Sequence, residues 1–242
     1  MERKESAEYS YYYIGQRVNI RANVAECKHG NVGREEKPVG AQMQPIRDLD
    51  KVHDITVTLS KRRDTRGRRM FLMWVVGINM GFRVSDLIDL KVGQLRDESA
   101  FTYLPKKQSH KSGARPITVP VPATVRKVLK ARLPDADPEA WLFPSRKRSG
   151  GKNPQHISRQ TARMDMREIG KVCGLQQTMG CHTMRKTFGY HYYQKTHDVA
   201  ILQEWFYHEN PATTLIYIGV ALDNFREMIK KSPFADMDGV EL

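Results

Sequence analysis

Cys181-His182-Thr183-Met184-Arg185, then Tyr207-His208, then Asn210-Pro211-Ala212-Thr213-Thr214-Leu215-Ile216-Tyr217: these stretches, joined by Arg83 far upstream, decide how the chain is read. They set two arginines, two histidines and a late tyrosine in a fixed order. Such groups can hold a phosphodiester and attack it. Guanidinium forks match phosphate oxygens bidentately, and a tyrosine whose phenolate is stabilised by nearby cations can act as a nucleophile. The metal-dependent route to the same chemistry would call for clustered Asp and Glu, and a nucleotide-dependent one for a Gly-rich Lys-Ser/Thr loop; the sequence shows neither pattern.

Locally, His182 and Arg185 stand at i and i+3 and share one helix face, while Met184, Phe188 and Tyr192 form a second face of core character. Asn210-Pro211 is a helix start, a capping side chain followed by a pre-set φ. Arg83 lies in Gly81-Phe82-Arg83-Val84-Ser85-Asp86-Leu87, with Asp86 one turn on, where it can orient the guanidinium. Taken singly, each residue has an ordinary structural reading: a surface ion pair, an exposed His-x-x-Arg, a histidine beside aromatics, a core tyrosine. Their joint order carries the chemistry.

Outward from these stretches the chain reads as mostly α with a small antiparallel β-sheet. Helices are expected over 46–60, 69–80 (apolar throughout and therefore buried), directly after Gly81 through Val84, Leu87, Ile88 and Val92, and over 122–133, 155–173, 182–194, 198–206, 210–218 and 221–231. The β-branched Ile55-Thr56-Val57-Thr58 run weakens the first of these. Phe101–Leu104 and Pro116–Val119 are strand candidates, joined by the basic turn Lys106-Lys107-Gln108-Ser109-His110-Lys111-Ser112-Gly113 into a hairpin. Residues 144–153 form a Gly- and Lys/Arg-rich loop. Residues 1–42 show no persistent period and are expected to be a poorly ordered N-terminal extension, with Met43 an alternative start and 43–242 a single domain.

The formal net charge of +13 points to a polyanionic partner, nucleic acid foremost. Residues 1–42 hold 7 Lys/Arg against 6 Asp/Glu, leaving 33 against 21 for the remainder, so the basic surplus belongs to the part after residue 43. Three cysteines (Cys27, Cys173, Cys181) and no secretory leader indicate a reducing, intracellular setting. Cys173, Cys181 and His182 fit no zinc spacing. No apolar run approaches the ~20 residues of a membrane span.

Gly-hydrophobic-Arg with an acidic residue three later, a basic hairpin, His-x-x-Arg, and a histidine followed nine positions on by tyrosine occur here in one order. In this the chain resembles the tyrosine recombinase (phage integrase) family over roughly residues 45–231. His182 and Tyr217 stand 35 positions apart, as in the family's box, and Ile201-Leu202-Gln203-Glu204 and Ala212-Thr213-Thr214 resemble its flanking text. The resemblance implies the breaking-rejoining catalytic-domain fold and a site-specific DNA strand transferase working on double-stranded DNA through a 3′-phosphotyrosyl intermediate, with no metal, ATP or other cofactor. It implies Tyr217 as nucleophile, Arg83 and Arg185 as the phosphate clamp, His182 in proton transfer with the tyrosine, His208 as a hydrogen-bond donor to the phosphate, and Asp86 in support. The hairpin lysine that protonates the leaving 5′-oxygen is taken as Lys111, with Lys106 and Lys107 as alternatives. It also implies assembly of copies on DNA through residues 221–231, and a bacterial or phage-encoded, cytoplasmic protein acting at the nucleoid. Lys186 stands where the family often has His, and Phe206-Tyr207-His208 where it has Leu-Gly-His. Residues 1–42 are too few for the helical core-binding domain that typical recombinases carry. Two other readings stay open: a DNA-binding accessory or degenerate integrase that occupies sites without cutting, and a type IB topoisomerase-like relaxase.

Overall fold

The computed structural model describes residues 8–13, 16–21, 43–110, 112–145 and 155–231. The chain divides into two compact units, Met1–Gly40 and Ala41–Leu242. In the first, strands β1 (Glu8–Tyr13) and β2 (Gln16–Arg21) pair antiparallel, from Glu8 opposite Arg21 to Tyr13 opposite Gln16. This differs from the absence of any strand period read for residues 1–42. The segments are rich in strand-forming Tyr, Val and Ile, and runs of six residues are too short for alternation to stand out between charged neighbours.

In the second unit, α1 (Leu49–Ser60) starts at Asp48, whose carboxylate caps the amides of Asp50 and Lys51. Its β-branched run stays helical because Ile55 and Leu59 are buried and the Thr56 hydroxyl accepts from the indole N–H of Trp74 at 2.8 Å. Packing thus overrides propensity. Helix α2 (Thr65–Met80) is the hub. Every residue from Met70 to Gly77 is buried, and each large apolar side chain of that kind contributes roughly 1.5–3 kcal/mol. Gly81 ends α2 in the left-handed region (φ 63°), where a β-carbon would run into the ring of Phe188. The turn therefore requires glycine twice over.

The single helix expected after Gly81 is two, α3 (Val84–Leu87) and α4 (Val92–Arg96). The break is set by main-chain bonds to a distant segment: Leu142 N–H donates to Leu90 and Val92 N–H to Ala140. Burial continues through the break, with Leu87, Ile88, Leu90 and Val92 all inside, so the apolar period alone cannot reveal it. Strands β3 (Ala100–Tyr103) and β4 (Ile117–Pro120) pair antiparallel, Ala100 opposite Pro120 and Tyr103 opposite Ile117. Phe101 and Val119 face the core and Thr102 and Thr118 face out.

Helices α5 (Ala123–Arg132) and α6 (Arg159–Val172) flank α2. Asp165 of α6 is buried and accepts from Arg66 (2.9 Å) and Arg69 (2.6 Å) of α2, which supply the countercharge a buried carboxylate needs. The described residues end in α7 (Cys181–Thr196), α8 (Val199–Phe206), α9 (Pro211–Ile218) and α10 (Val220–Lys230). The architecture is mostly helical with small antiparallel pairings, as expected. Among the described residues no helix is long and apolar enough to cross a membrane.

Candidate active site

Arg83, His182, Arg185, His208 and Tyr217 come from four places in the chain and meet at one spot. Arg83 caps α3 in extended conformation immediately after the Gly81 turn. Its Nη2 donates to the Phe206 carbonyl, and its guanidinium lies 5.4 Å from the centre of the Tyr207 ring. Arg185, in the second turn of α7, is 4% exposed. It donates through Nη1 to the Gly81 carbonyl and through Nη2 to the Trp205 carbonyl at 3.4 Å, and it sits 4.1 Å over the Phe206 ring. Burial, with the neighbouring Arg83 charge adding to it, pushes Arg185 down to about 10, still fully cationic at neutral pH.

Tyr217 lies on α9, half-buried, with His208 (5.1 Å) and Phe206 (5.4 Å) edge-on to its ring. Its Oη is 3.1 Å from Nδ1 of His182, one turn before Arg185. Burial raises the phenol above its ordinary range while Arg185 and Arg83 pull it the other way. His182 is exposed as a residue, but its ring packs edge-on to Tyr217; desolvation, with Lys186, Arg185 and Arg83 adding, lowers its pKa. The imidazole is therefore neutral at pH 7 and able to accept a proton.

His208 follows α8 through Tyr207, a non-glycine residue in the left-handed region (φ 54°), which swings the histidine back toward Tyr217. Nδ1 of His208 is 3.0 Å from the hydroxyl of the fully buried Thr214. Desolvation first, then Arg185, Arg83 and Lys107, push His208 down to about 4. An unfolded chain, with histidine near 6.5, binds more protons than the folded one between those values, so this group makes stability rise with pH across that window and level off above it. The melting temperature is expected to fall on going from pH 7 to pH 5, and less steeply in His208→Gln; parallel slopes in a thermal melt series would show that His208 is not a source.

Asp86, expected to orient Arg83, lies one turn on, its N–H donating to the Arg83 carbonyl at 2.9 Å. It is buried, and its carboxylate accepts from the Lys106 main-chain N–H (3.1 Å) and the Ser85 hydroxyl (3.4 Å), so it ties the base of the hairpin to α3. Lys111 lies outside the described residues. Of the other hairpin lysines, Lys106 pairs with Asp89 (3.0 Å) and Lys107 is near enough to act on His208. Beside them an open cleft of about 590 Å³ is lined by Lys106, Lys107, His110, His156 and Arg159, with the Ser85 and Ser158 hydroxyls.

Several contributors carry no signal in sequence. The carbonyls of Gly81, Trp205 and Phe206 are main-chain groups. Thr214 was visible only as flanking text. Lys186, noted as a departure, is buried with its ammonium 5.1 Å from the Tyr217 ring centre. Among the described residues no three His, Cys, Asp or Glu side chains are grouped to hold a metal ion.

The chain matches known proteins over most of its length. The model of the phage integrase family matches residues 48–223. A probable integrase/recombinase of Bacillus subtilis (strain 168), YoeC, is 31% identical over 188 residues, covering 78% of this chain and 96% of that one. The tyrosine recombinase XerA of Pyrococcus horikoshii is 29% identical over 183 residues, covering 76% of this chain and 59% of its own; the chain spans about half the length of the curated Xer recombinases it matches. In fold, a crystal structure of XerA recombinase superposes with a TM-score of 0.58 at 22% identity, over 83% of this chain and 67% of that one. The XerH recombinase bound to its palindromic difH substrate, a post-cleavage complex, gives 0.57 at 19% identity, over 81% and 55%. With the family model matching well over half its length, the chain belongs to the phage integrase family, and its relatives are tyrosine recombinases.

Proposed function

We propose that this chain cleaves and rejoins double-stranded DNA site-specifically through a phosphotyrosyl intermediate on Tyr217. The observation that carries this reading is the 3.1 Å contact of His182 Nδ1 with Tyr217 Oη beside two guanidiniums. A scissile phosphate bound between Arg83 and Arg185 receives hydrogen bonds on its non-bridging oxygens, which offset the charge that repels a nucleophile. Tyr217 Oη attacks phosphorus as its proton passes to the neutral His182. The bond from phosphorus to the 5′-oxygen breaks, and that oxygen takes a proton from a hairpin lysine, assigned to Lys111 by its position in the Lys111–Pro120 run, with Lys107 and Lys106 as alternatives. His208, its Nδ1 accepting from Thr214, presents Nε2–H to a phosphate oxygen. Reversal of these steps by a free 5′-hydroxyl reseals the strand. Because the phosphotyrosine conserves the energy of the broken ester, rejoining draws on no nucleotide, and the fixed cations take the role a metal would have.

The experiment is a nicked suicide duplex carrying a site selected by binding from random sequence. A protein–DNA adduct that survives boiling in detergent supports the reading. No adduct on bound sites would leave a DNA-binding accessory, and supercoil relaxation without exchange of partners a relaxase. The lysine-lined cleft beside the hairpin offers a path for the flanking backbone, and a DNA substrate would place the protein at the nucleoid.

The proposed partner is a second copy, through α10. Leu222, Phe225, Met228 and Ile229 are exposed there, up to 64% for Ile229, more apolar surface than a solvated helix needs. Phe225→Glu/Met228→Glu is expected to leave binding of a single site intact and to remove slower-migrating multi-subunit complexes in native gels; unchanged complexes would show assembly through another face.

A further inference from the structure

The segment before α1 does more than lead into the helix. Gln44 to Asp48 runs across both helices that carry reacting groups. On one side, Ile46, almost fully buried, clamps α7: its N–H donates to the Thr187 hydroxyl at 3.0 Å and its carbonyl lies 2.8 Å from Nε2 of His191. On the other side, Arg47 reaches the junction of α9 and α10. Its Nε is 2.9 and 2.8 Å from the two oxygens of Asp223, and its Nη2 is 3.4 Å from the Gly219 carbonyl. The guanidinium also lies 5.5 Å from the centre of the Tyr190 ring of α7.

Gly219 is at once the C-cap of α9 and the N-cap of α10, in the left-handed region at φ 88°, two residues after Tyr217. A β-carbon there would lie 3.0 Å from Arg47 Nη2 and 3.3 Å from Pro45, so the strap packs directly on this turn. A glycine turn is the most pliable link between two short helices. Here it is held from outside by a half-buried ion pair, which water and salt screen less than an exposed one.

We propose that Arg47 is a positioning residue for Tyr217: by bridging Asp223 on α10 and the Gly219 carbonyl, it fixes the turn that sets the nucleophile against His182. This rests on the cleavage reading above. Through Ile46 the same strap holds α7, so the helix of the proton acceptor and the turn behind the nucleophile share one anchor. Misplacement of a reacting atom by about 1 Å can cost on the order of 10²-fold in rate, so the tie is read in the chemical step and not in DNA affinity.

The test measures adduct formation on the suicide duplex at saturating DNA, DNA affinity in a Tyr217→Phe background, and amide hydrogen exchange of peptides spanning 211–219 without DNA. Arg47→Ala is expected to slow adduct formation about tenfold or more with affinity unchanged, and to speed exchange in α9 while α2 stays protected. Asp223→Ala, which also frees Tyr190 and Arg226, should slow adduct formation too, and the double variant should fall well short of the two losses multiplied, because both remove the Arg47–Asp223 tie. Should Arg47→Ala fail to fold, Arg47→Lys, which keeps the charge but cannot span Asp223 and Gly219 together, gives a smaller slowing with the same unchanged affinity. Losses that add in the double variant, a fall in affinity matching the fall in rate, or α9 exchange equal to wild type would overturn the proposal. A wild-type protein that forms no adduct would count against the cleavage reading alone, since the exchange measurement stands without it.

Discussion

Tyr217→Phe should abolish the covalent adduct, lowering its rate of formation by at least about 10⁴-fold, the scale on which deleting a nucleophile registers. The substitution removes one oxygen. The ring keeps its edge contacts with Phe206 and His208 and the ammonium of Lys186 over its face. Folding and DNA affinity are therefore expected to hold, and only the phosphoryl acceptor disappears. His182 loses its partner at 3.1 Å and stays neutral in the position of a base with nothing to deprotonate. An adduct of undiminished yield in Tyr217→Phe, mapped by mass spectrometry to another residue, would overthrow the assignment of the nucleophile and with it the role given to His182.

Arg185→Lys is the second large effect, expected at about 10² to 10³-fold in single-turnover cleavage, the range for losing one preorganised donor to a developing charge. The change keeps a formal charge and loses the fork. Arg185 already donates to the carbonyls of Gly81 and Trp205 and packs over Phe206, and only a planar group with several N–H bonds can do this and still face a phosphate. Burial adds a second penalty. The same desolvation that brings Arg185 down to about 10 would act on an ammonium that starts lower and is more strongly hydrated, so part of the variant population would be neutral near physiological pH. The variant should accordingly lose further activity as pH rises from 7 to 9, a range in which the wild-type clamp stays largely charged. Equal pH profiles would mean that geometry alone accounts for the loss.

The site was legible where chemistry lies in side-chain order. Arg83, His182, Arg185, His208 and Tyr217 were recognisable by type and spacing, and the structure gathers them. Legibility failed where the work is done by main chain or by tertiary contact. The carbonyls of Gly81, Trp205 and Phe206 look the same in any sequence, and what makes them acceptors is the turn at Gly81 and the end of α8. Helical spacing relates Asp86 to Arg83, but its bond to the Lys106 amide, 20 residues on, is one that no local rule anticipates. Periodicity located the buried stretch of α2, but on α7 it pointed to Met184, Phe188 and Tyr192, of which only Met184 is buried, beside Thr187, Gly189 and Tyr193; and it joined α3 to α4, because Leu90 stays buried while its carbonyl accepts from Leu142. The strap at 44–48 was folded into a helix expected from residue 46; Ile46 is apolar and buried as that helix would have it, but its main chain bonds to Thr187 and His191, and the helix waits for the Asp48 cap.

The end of α8 has a bearing on what the site will admit. The Trp205 and Phe206 carbonyls, at the negative pole of that helix, already occupy N–H groups of Arg185 and Arg83. Each guanidinium carries five N–H bonds, so these contacts hold the plane of each fork and leave further donors for an entering ligand. The helix terminus thus offsets part of the repulsion between two like charges and fixes which way their remaining donors point.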